Sequence, residues 1–258
     1  MPLELLAYYL KLPVFMMVLA RMAGMLAIQP ILSAVSIPMR VRALLVLALA
    51  ALMTPFVEFP AAAPDTVGGL ALAMGGELLV GSLMGLVIAT CFVGLQMGGT
   101  LVAQNSGLAM GRVADPDSGE DMAILGSLYV QVAGVVYLVI GGHRALLAAC
   151  LDTFEAVPLL GAAGLAEFGA DLLLAALAAA GVLAIHVAAP AVLTLFMANL
   201  AMGFIARTVP QLNIVTIGFS LKALVAFLIM AVALPSGMSM FVDVLETSFA
   251  WLHELTAP

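Results

Sequence analysis

Residues 66–111 read TVGGLALAMGGELLVGSLMGLVIATCFVGLQMGGTLVAQNSGLAMG, and Glu77 is the only charged side chain in these 46 positions. A membrane-spanning helix needs roughly 20 mostly apolar residues, so the stretch reads as α-helix in a lipid setting. As one helix rising ~1.5 Å per residue it would be about 69 Å long. That is more than twice the ~30 Å hydrocarbon core of a bilayer. The reading is that it breaks at Gly98-Gly99, giving one span over residues 70–97 followed by a lined or re-entrant segment.

Outward from this stretch the same pattern repeats. Apolar runs cover residues 12–32, 43–57, 123–142, 145–160, 172–199 and 214–234, separated by charged or proline-containing punctuation. Beyond Pro235-Ser-Gly, Phe241, Leu245, Phe249 and Leu252 recur at helical spacing against Asp243, Glu246 and Glu254, which marks residues 236–258 as an amphipathic tail. Composition agrees: 65% of the chain is hydrophobic and 9% charged, against about 45–50% and about 25% in soluble domains. The fold class is therefore all-α, a polytopic helical membrane protein of about six hydrophobic helices forming one domain over residues 1–258. The N-terminus lacks a basic n-region, so its first apolar run reads as a retained helix rather than a cleaved signal. Arg40, Arg42, Arg112 and Arg207 fall in alternate loops, which the positive-inside tendency places in the cytoplasm.

Several function classes are excluded. Eight Lys and Arg residues with a net charge of −7 give no basic face for nucleic acid. Cys91 and Cys150 lie within apolar runs and form no disulfide or metal spacing. His143, His186 and His253 form no metal-ligand motif, no GxSxG elbow occurs, and no glycine loop carries a phosphate-binding lysine. The chain reads as having no catalytic apparatus, cofactor or metal.

Intramembrane polar groups are functional candidates because they are costly there. Arg21, Glu77, His186 and Lys222 qualify, either as a buried ion pair or relay or as side chains that snorkel to an interface or meet a neighbouring subunit. Gly81 and Gly85, Gly94 and Gly98, and Gly107 and Gly111 stand four residues apart, a spacing that lets another helix approach closely. Two stretches carry most information. Residues 96–121 combine Gln96, Gly98, Ser106, Met110, Arg112, Asp115 and Pro116 in a glycine-rich segment ending in an acidic turn. It reads either as a plug-like gating loop or as a plain connection. In residues 199–222, Asn199, Gly203 and Arg207 share one helix face, Pro210 ends that helix, and Gln211, Asn213 and Lys222 follow.

On these two stretches the chain resembles the FliR/T-protein family of export-gate membrane proteins of flagellar and injectisome type III secretion. Gln96-x-Gly98 with Asp115-Pro116 is similar to that family's central loop. Asn199, Gly203, Arg207, Pro210, Gln211, Asn213, Gly218-Phe219 and Lys222 resemble its C-terminal signature. Arg21, Pro30, Pro38 and Arg42 agree as well, and the likeness covers nearly the whole chain. Ser220 departs from it, standing where the family has proline. The resemblance implies helical hairpins in a hetero-oligomer with FliP and FliQ, FlhB associated, in the bacterial inner membrane at the flagellar basal body. Unfolded flagellar subunits would pass through, with residues 106–121 as the plug. It also implies assembly roles for Glu77, Gly81, Gly85, Asn199, Gly203, Arg207, Pro210, Gln211, Asn213 and Lys222. The competing classes are an injectisome homologue, a small-solute transporter, which would carry internal repeats that the sequence does not display, and an intramembrane enzyme, which lacks a dyad.

Overall fold

The computed structural model describes residues 2–30, 37–57, 66–107, 124–160, 165–208 and 214–254. Among them every regular element is helical. In chain order these are α1 (Pro2–Ile28), α2 (Met39–Met53) with a 3-10 turn at Thr54–Phe56, α3 (Val67–Ser106), α4 (Ile124–Val139), α5 (Gly142–Ala156), α6 (Leu165–Thr208) and α7 (Ile214–Glu254). Among the described residues four helices are long and apolar enough to cross a membrane, and five if α4 and α5 count together as one broken span. The apolar part of α1, Leu12–Ile28, is just shorter than that. The protein is an all-α, multi-pass membrane protein, but its helices do not map onto six simple spans.

The break expected at Gly98-Gly99 does not occur: α3 is one helix of 40 residues. An interrupted helix in apolar surroundings leaves backbone N–H and C=O groups without partners. The two glycines serve packing instead. A Cβ at Gly98 would lie 2.9 Å from the carbonyl oxygen of Ala184 on α6, and one at Gly99 would lie 2.6 Å from the Cα of Gly126 on α4. Adjacent residues point about 100° apart around a helix, so the pair gives α3 two close contacts at one level. Ser106 and the residues before it are helical, so of the plug stretch the structure describes only residues 96–107. The helix ends at Gly107, whose φ of 82° is the left-handed cap that glycine adopts without a steric penalty.

Pro235-Ser-Gly likewise fails to end a helix, and α7 runs through it for 41 residues. Pro190 sits inside the 44-residue α6 and Pro13 inside α1. Neighbouring groups in a helical assembly can satisfy the backbone that a proline frees. Arg40 and Arg42 lie in the first turn of α2 and Arg207 in the last turn of α6, at helix ends rather than in loops. The break that does occur is at Gly141, whose left-handed φ of 77° separates α4 from α5.

The chain divides into two compact units. One comprises Met1–Thr90, Gly141–Leu177 and Leu245–Pro258, and the other Cys91–Ile140 and Ala178–Val244. In the first, Met17, Met22 and Met25 of α1, Met84 of α3 and Leu146 of α5 are all fully buried. In the second, the buried ring of Phe92 meets Tyr137 and Phe241 edge-on at centroid distances of 5.7 and 5.1 Å. Such edge-to-face geometry sets the positive rim of one ring against the negative face of the next.

Candidate functional site

Glu77, Gly81 and Gly85 stand at successive four-residue intervals and share one face of α3. That face crosses α1 at very short range. A Cβ on Gly81 would collide with the backbone of Arg21, one on Gly85 would meet Met25, and one on Gly24 of α1 would lie 2.9 Å from the Ser82 nitrogen. Three glycines thus strip the crossing of side-chain bulk, and the close approach brings the side chains one turn away face to face.

Those side chains are Arg21 and Glu77. Arg21 donates from Nε and Nη2 to Oε2 of Glu77, each at 2.6 Å, and both residues are buried, at 0% and 1% exposure. The guanidinium also reaches the end of α5: Nη1 donates to the carbonyl oxygen of Thr153 at 3.1 Å and to its hydroxyl at 3.3 Å, and Nη2 donates as well to the carbonyl oxygen of Val157 at 3.0 Å. The Thr153 carbonyl also accepts the Val157 N–H at 2.9 Å, whereas the carbonyl of Val157, past the last turn, has no intrahelical donor, so Arg21 caps α5 from another element. Phe154 stacks on the guanidinium with its ring centroid 4.1 Å from Cζ. Glu77 completes the arrangement by accepting the Leu160 N–H on Oε1 at 3.2 Å. Leu160 has a φ of 77°, a left-handed conformation that costs a branched side chain roughly 1–2 kcal/mol.

The chemistry available to this cluster is structural. Both carboxylate oxygens of Glu77 are occupied, and beside the cluster the Cys150 thiol lies 3.5 Å from Met22 Sδ and the Thr153 hydroxyl 3.8 Å from Met84 Sδ. Among the described residues no buried side-chain nitrogen or oxygen lacks a hydrogen-bond partner, and no group of three or more His, Cys, Asp or Glu could hold a metal ion. Sequence reasoning singled out Arg21 and Glu77 separately but did not join them, and it missed Thr153, Phe154, Val157 and Leu160. Pro158, two residues past the end of α5, signals only that a helix stops there.

The other predicted residues lie elsewhere. Gln96 and Gly98 are helical, and the Gln96 carbonyl oxygen lies 2.9 Å from where a Cβ on Gly126 would sit. Ser106 is buried and donates to the carbonyl oxygen of Ala103 at 3.0 Å. Met110, Arg112, Asp115 and Pro116, together with Pro210, Gln211 and Asn213, fall outside the described residues. Asn199, Gly203 and Arg207 form an exposed face of α6, and no atom lies within 4 Å of a Cβ built on Gly203. The two informative stretches meet where the Phe219 ring lies 3.3 Å from a Cβ built on Gly107, and within the second stretch Met202 Sδ lies 2.9 Å from one on Gly218. Lys222 is half-buried, and exposed His186 lies with Nε2 3.2 Å from the Ser236 hydroxyl.

With this geometry in hand, the chain can be set beside known proteins. The family described as Bacterial export proteins, family 1, matches residues 12–248. Flagellar biosynthetic protein FliR of Escherichia coli K12 is 28% identical over 221 residues, covering 84% of this chain and 82% of that protein. FliR of Bacillus subtilis 168 is 30% identical over 164 residues, covering 61% of this chain and 62% of that protein. Yop proteins translocation protein T of Yersinia pestis is 25% identical over 164 residues, covering 63% of each.

Proposed function

The chain belongs to the bacterial export proteins, family 1, and on that premise we propose that it is a structural and gating subunit of a type III protein-export gate of the flagellar kind. The observation that carries the reading is helix length. At ~1.5 Å per residue, α3, α6 and α7 are each about 60–66 Å long, and a tilt of up to ~40° absorbs only a fraction of the excess over a ~30 Å core. Much of each helix therefore lies outside hydrocarbon. Exposed apolar residues recur over more than the thickness of that core, from Leu72 to Leu101 of α3 and from Leu174 to Phe204 of α6, about 44–45 Å in each case, and those beyond the hydrocarbon need cover from other protein subunits. A small-solute transporter enclosing its own site has no such need.

In this reading the chain joins FliP and FliQ, with FlhB associated, in the inner membrane at the flagellar basal body. Unfolded flagellar subunits are the cargo, and the protein performs no chemical step. The exposed Asn199, Gly203 and Arg207 face contacts a neighbouring subunit, as do Pro210, Gln211, Asn213 and Lys222. Glu77, Gly81 and Gly85 serve assembly by fixing the subunit's own fold. Gating falls to the segment after Gly107, with Met110, Arg112, Asp115 and Pro116, which α3 positions through Gln96, Gly98 and Ser106. The likeness to a Yersinia translocation protein favours, as the second reading, the corresponding injectisome subunit.

The test is deletion of the gene in the bacterium that encodes it, with flagellar subunits then assayed in the culture medium. Their disappearance, reversed by a plasmid copy, supports the proposal. Unchanged flagellar export with loss of other secreted proteins favours the injectisome, and unchanged secretion of both kinds rejects either reading.

A further inference from the structure

The exposed face of α7 changes character within a single turn. Up to that point its exposed large apolar side chains are Phe219, Leu221, Leu224, Phe227, Leu228 and Val232, and none follows Val232. Beyond it the exposed positions are Pro235, Ser236, Ser239, Asp243, Glu246, Thr247, Ala250 and His253. At ~3.6 residues per turn these positions fall in one stripe along the helix. The opposite face is buried and, apart from Ser248, apolar, with Phe241, Leu245 and Leu252 each fully covered. His186 of α6 stands at the start of the stripe, at hydrogen-bonding distance from Ser236.

We propose that the boundary between apolar surroundings and water crosses α7 between Val232 and Ser236, and that the stripe from Ser236 to His253 is in contact with water. Three arguments converge. Carboxylates such as those of Asp243 and Glu246 are among the costliest groups to place in hydrocarbon, and two of them point outward here. The cores of protein interfaces are depleted in charged residues, so a packed partner helix suits this stripe less well than solvent does. Finally, the apolar part of the helix from Gly218 to Pro235 has a rise of about 27 Å, close to the ~30 Å hydrocarbon core. Lys222 lies near its far end, where its stem can carry the ammonium towards the interface. Proline at 235 and glycine at 237 thus mark a change of environment within an unbroken helix.

The inference concerns this chain in its membrane and does not depend on the export reading. Its test uses the burial of both native cysteines, Cys91 and Cys150, which leaves the unmodified protein with little reactivity. Single cysteines are placed as Leu228→Cys and Val232→Cys on one side, and as Ser236→Cys, Ser239→Cys and Glu246→Cys on the other. Native membranes are treated with a charged, membrane-impermeant methanethiosulfonate, and each variant is fully labelled after denaturation as its control. A thiol reacts as its thiolate, which water stabilises and apolar surroundings suppress. Labelling at 236, 239 and 246 is therefore expected to exceed that at 228 and 232 by about tenfold or more. Equal rates on both sides overturn the boundary. Cysteines at 236 and 239 that resist the reagent in membranes but react once the chain is purified alone overturn the contact with water, because they show the stripe covered by a partner.

Discussion

Helix α3 makes two close crossings, one in each compact unit, and they are built differently. In the first half Glu77, Gly81 and Gly85 meet α1, and the crossing carries a buried ion pair and the end of α5 with it. In the second half Gly94 and Gly98 meet α6 while Gly99 meets α4, and no charge takes part. Small residues alone therefore suffice to bring two apolar helices together. The ion pair does something else: its guanidinium also satisfies a carbonyl at the end of a helix that stops beside apolar neighbours. The charged crossing should accordingly fail abruptly when one charge is removed, whereas the glycine crossing should fail in proportion to the volume added.

The largest expected effect follows from removing one member of the pair. Glu77→Ala or Arg21→Ala leaves a buried charge without its partner, a loss on the order of 3–5 kcal/mol. Immunoblots of membranes should show the chain largely degraded. The double variant Arg21→Met with Glu77→Leu should accumulate better than either single charge deletion, though below the native chain because the Val157 carbonyl and the Leu160 N–H lose their partners. A double variant no better than the singles would mean that the pair's charges are not what matters.

Next come the glycines. Gly81→Ala and Gly99→Ala each drive a methyl into a neighbouring backbone, and overpacking of this kind costs roughly 1–3 kcal/mol. Gly75→Ala and Gly181→Ala have open space around the new methyl, so both should be neutral or gain up to about 1 kcal/mol from helix propensity. Thermal melts in one detergent separate the two groups, and similar losses in all four would remove the basis of the comparison. Gly203→Leu sharpens it from outside. Gly203 lies on an exposed face, so the chain should reach native levels in the membrane while the yield of complex with its partners falls. The smallest effect is at Leu160, where Leu160→Gly relieves a left-handed backbone and should stabilise by up to about 1 kcal/mol. A loss there would show that the leucine side chain contributes more than its backbone strain costs.

Much of the fold was legible because apolar runs of spanning length are difficult to reconcile with anything but membrane helices. The misreadings share one cause. Gly98-Gly99 and Pro235-Ser-Gly resemble turn signals in water, yet in apolar surroundings the hydrogen bonds of an unbroken helix outweigh local propensity. Tight packing against Gly126 and Ala184, and of Gly237 against Val187 and Tyr129, then gives those glycines a different use. The amphipathic pattern of Phe241, Leu245 and Leu252 against Asp243 and Glu246 was readable because it depends only on helical period. At the charged crossing, Arg21 and Glu77 were visible as costly polar groups. Their pairing across 56 positions was not, nor was the capping of α5, because carbonyl acceptors leave no trace in residue identity.

The most direct measurement of the central claim is co-expression of this chain, affinity-tagged, with the FliP and FliQ candidates of its genome, followed by detergent extraction and native mass spectrometry. The account predicts a defined hetero-oligomer containing all three, and its mass gives the stoichiometry. A stable lone monomer or homodimer that ignores both partners would contradict it.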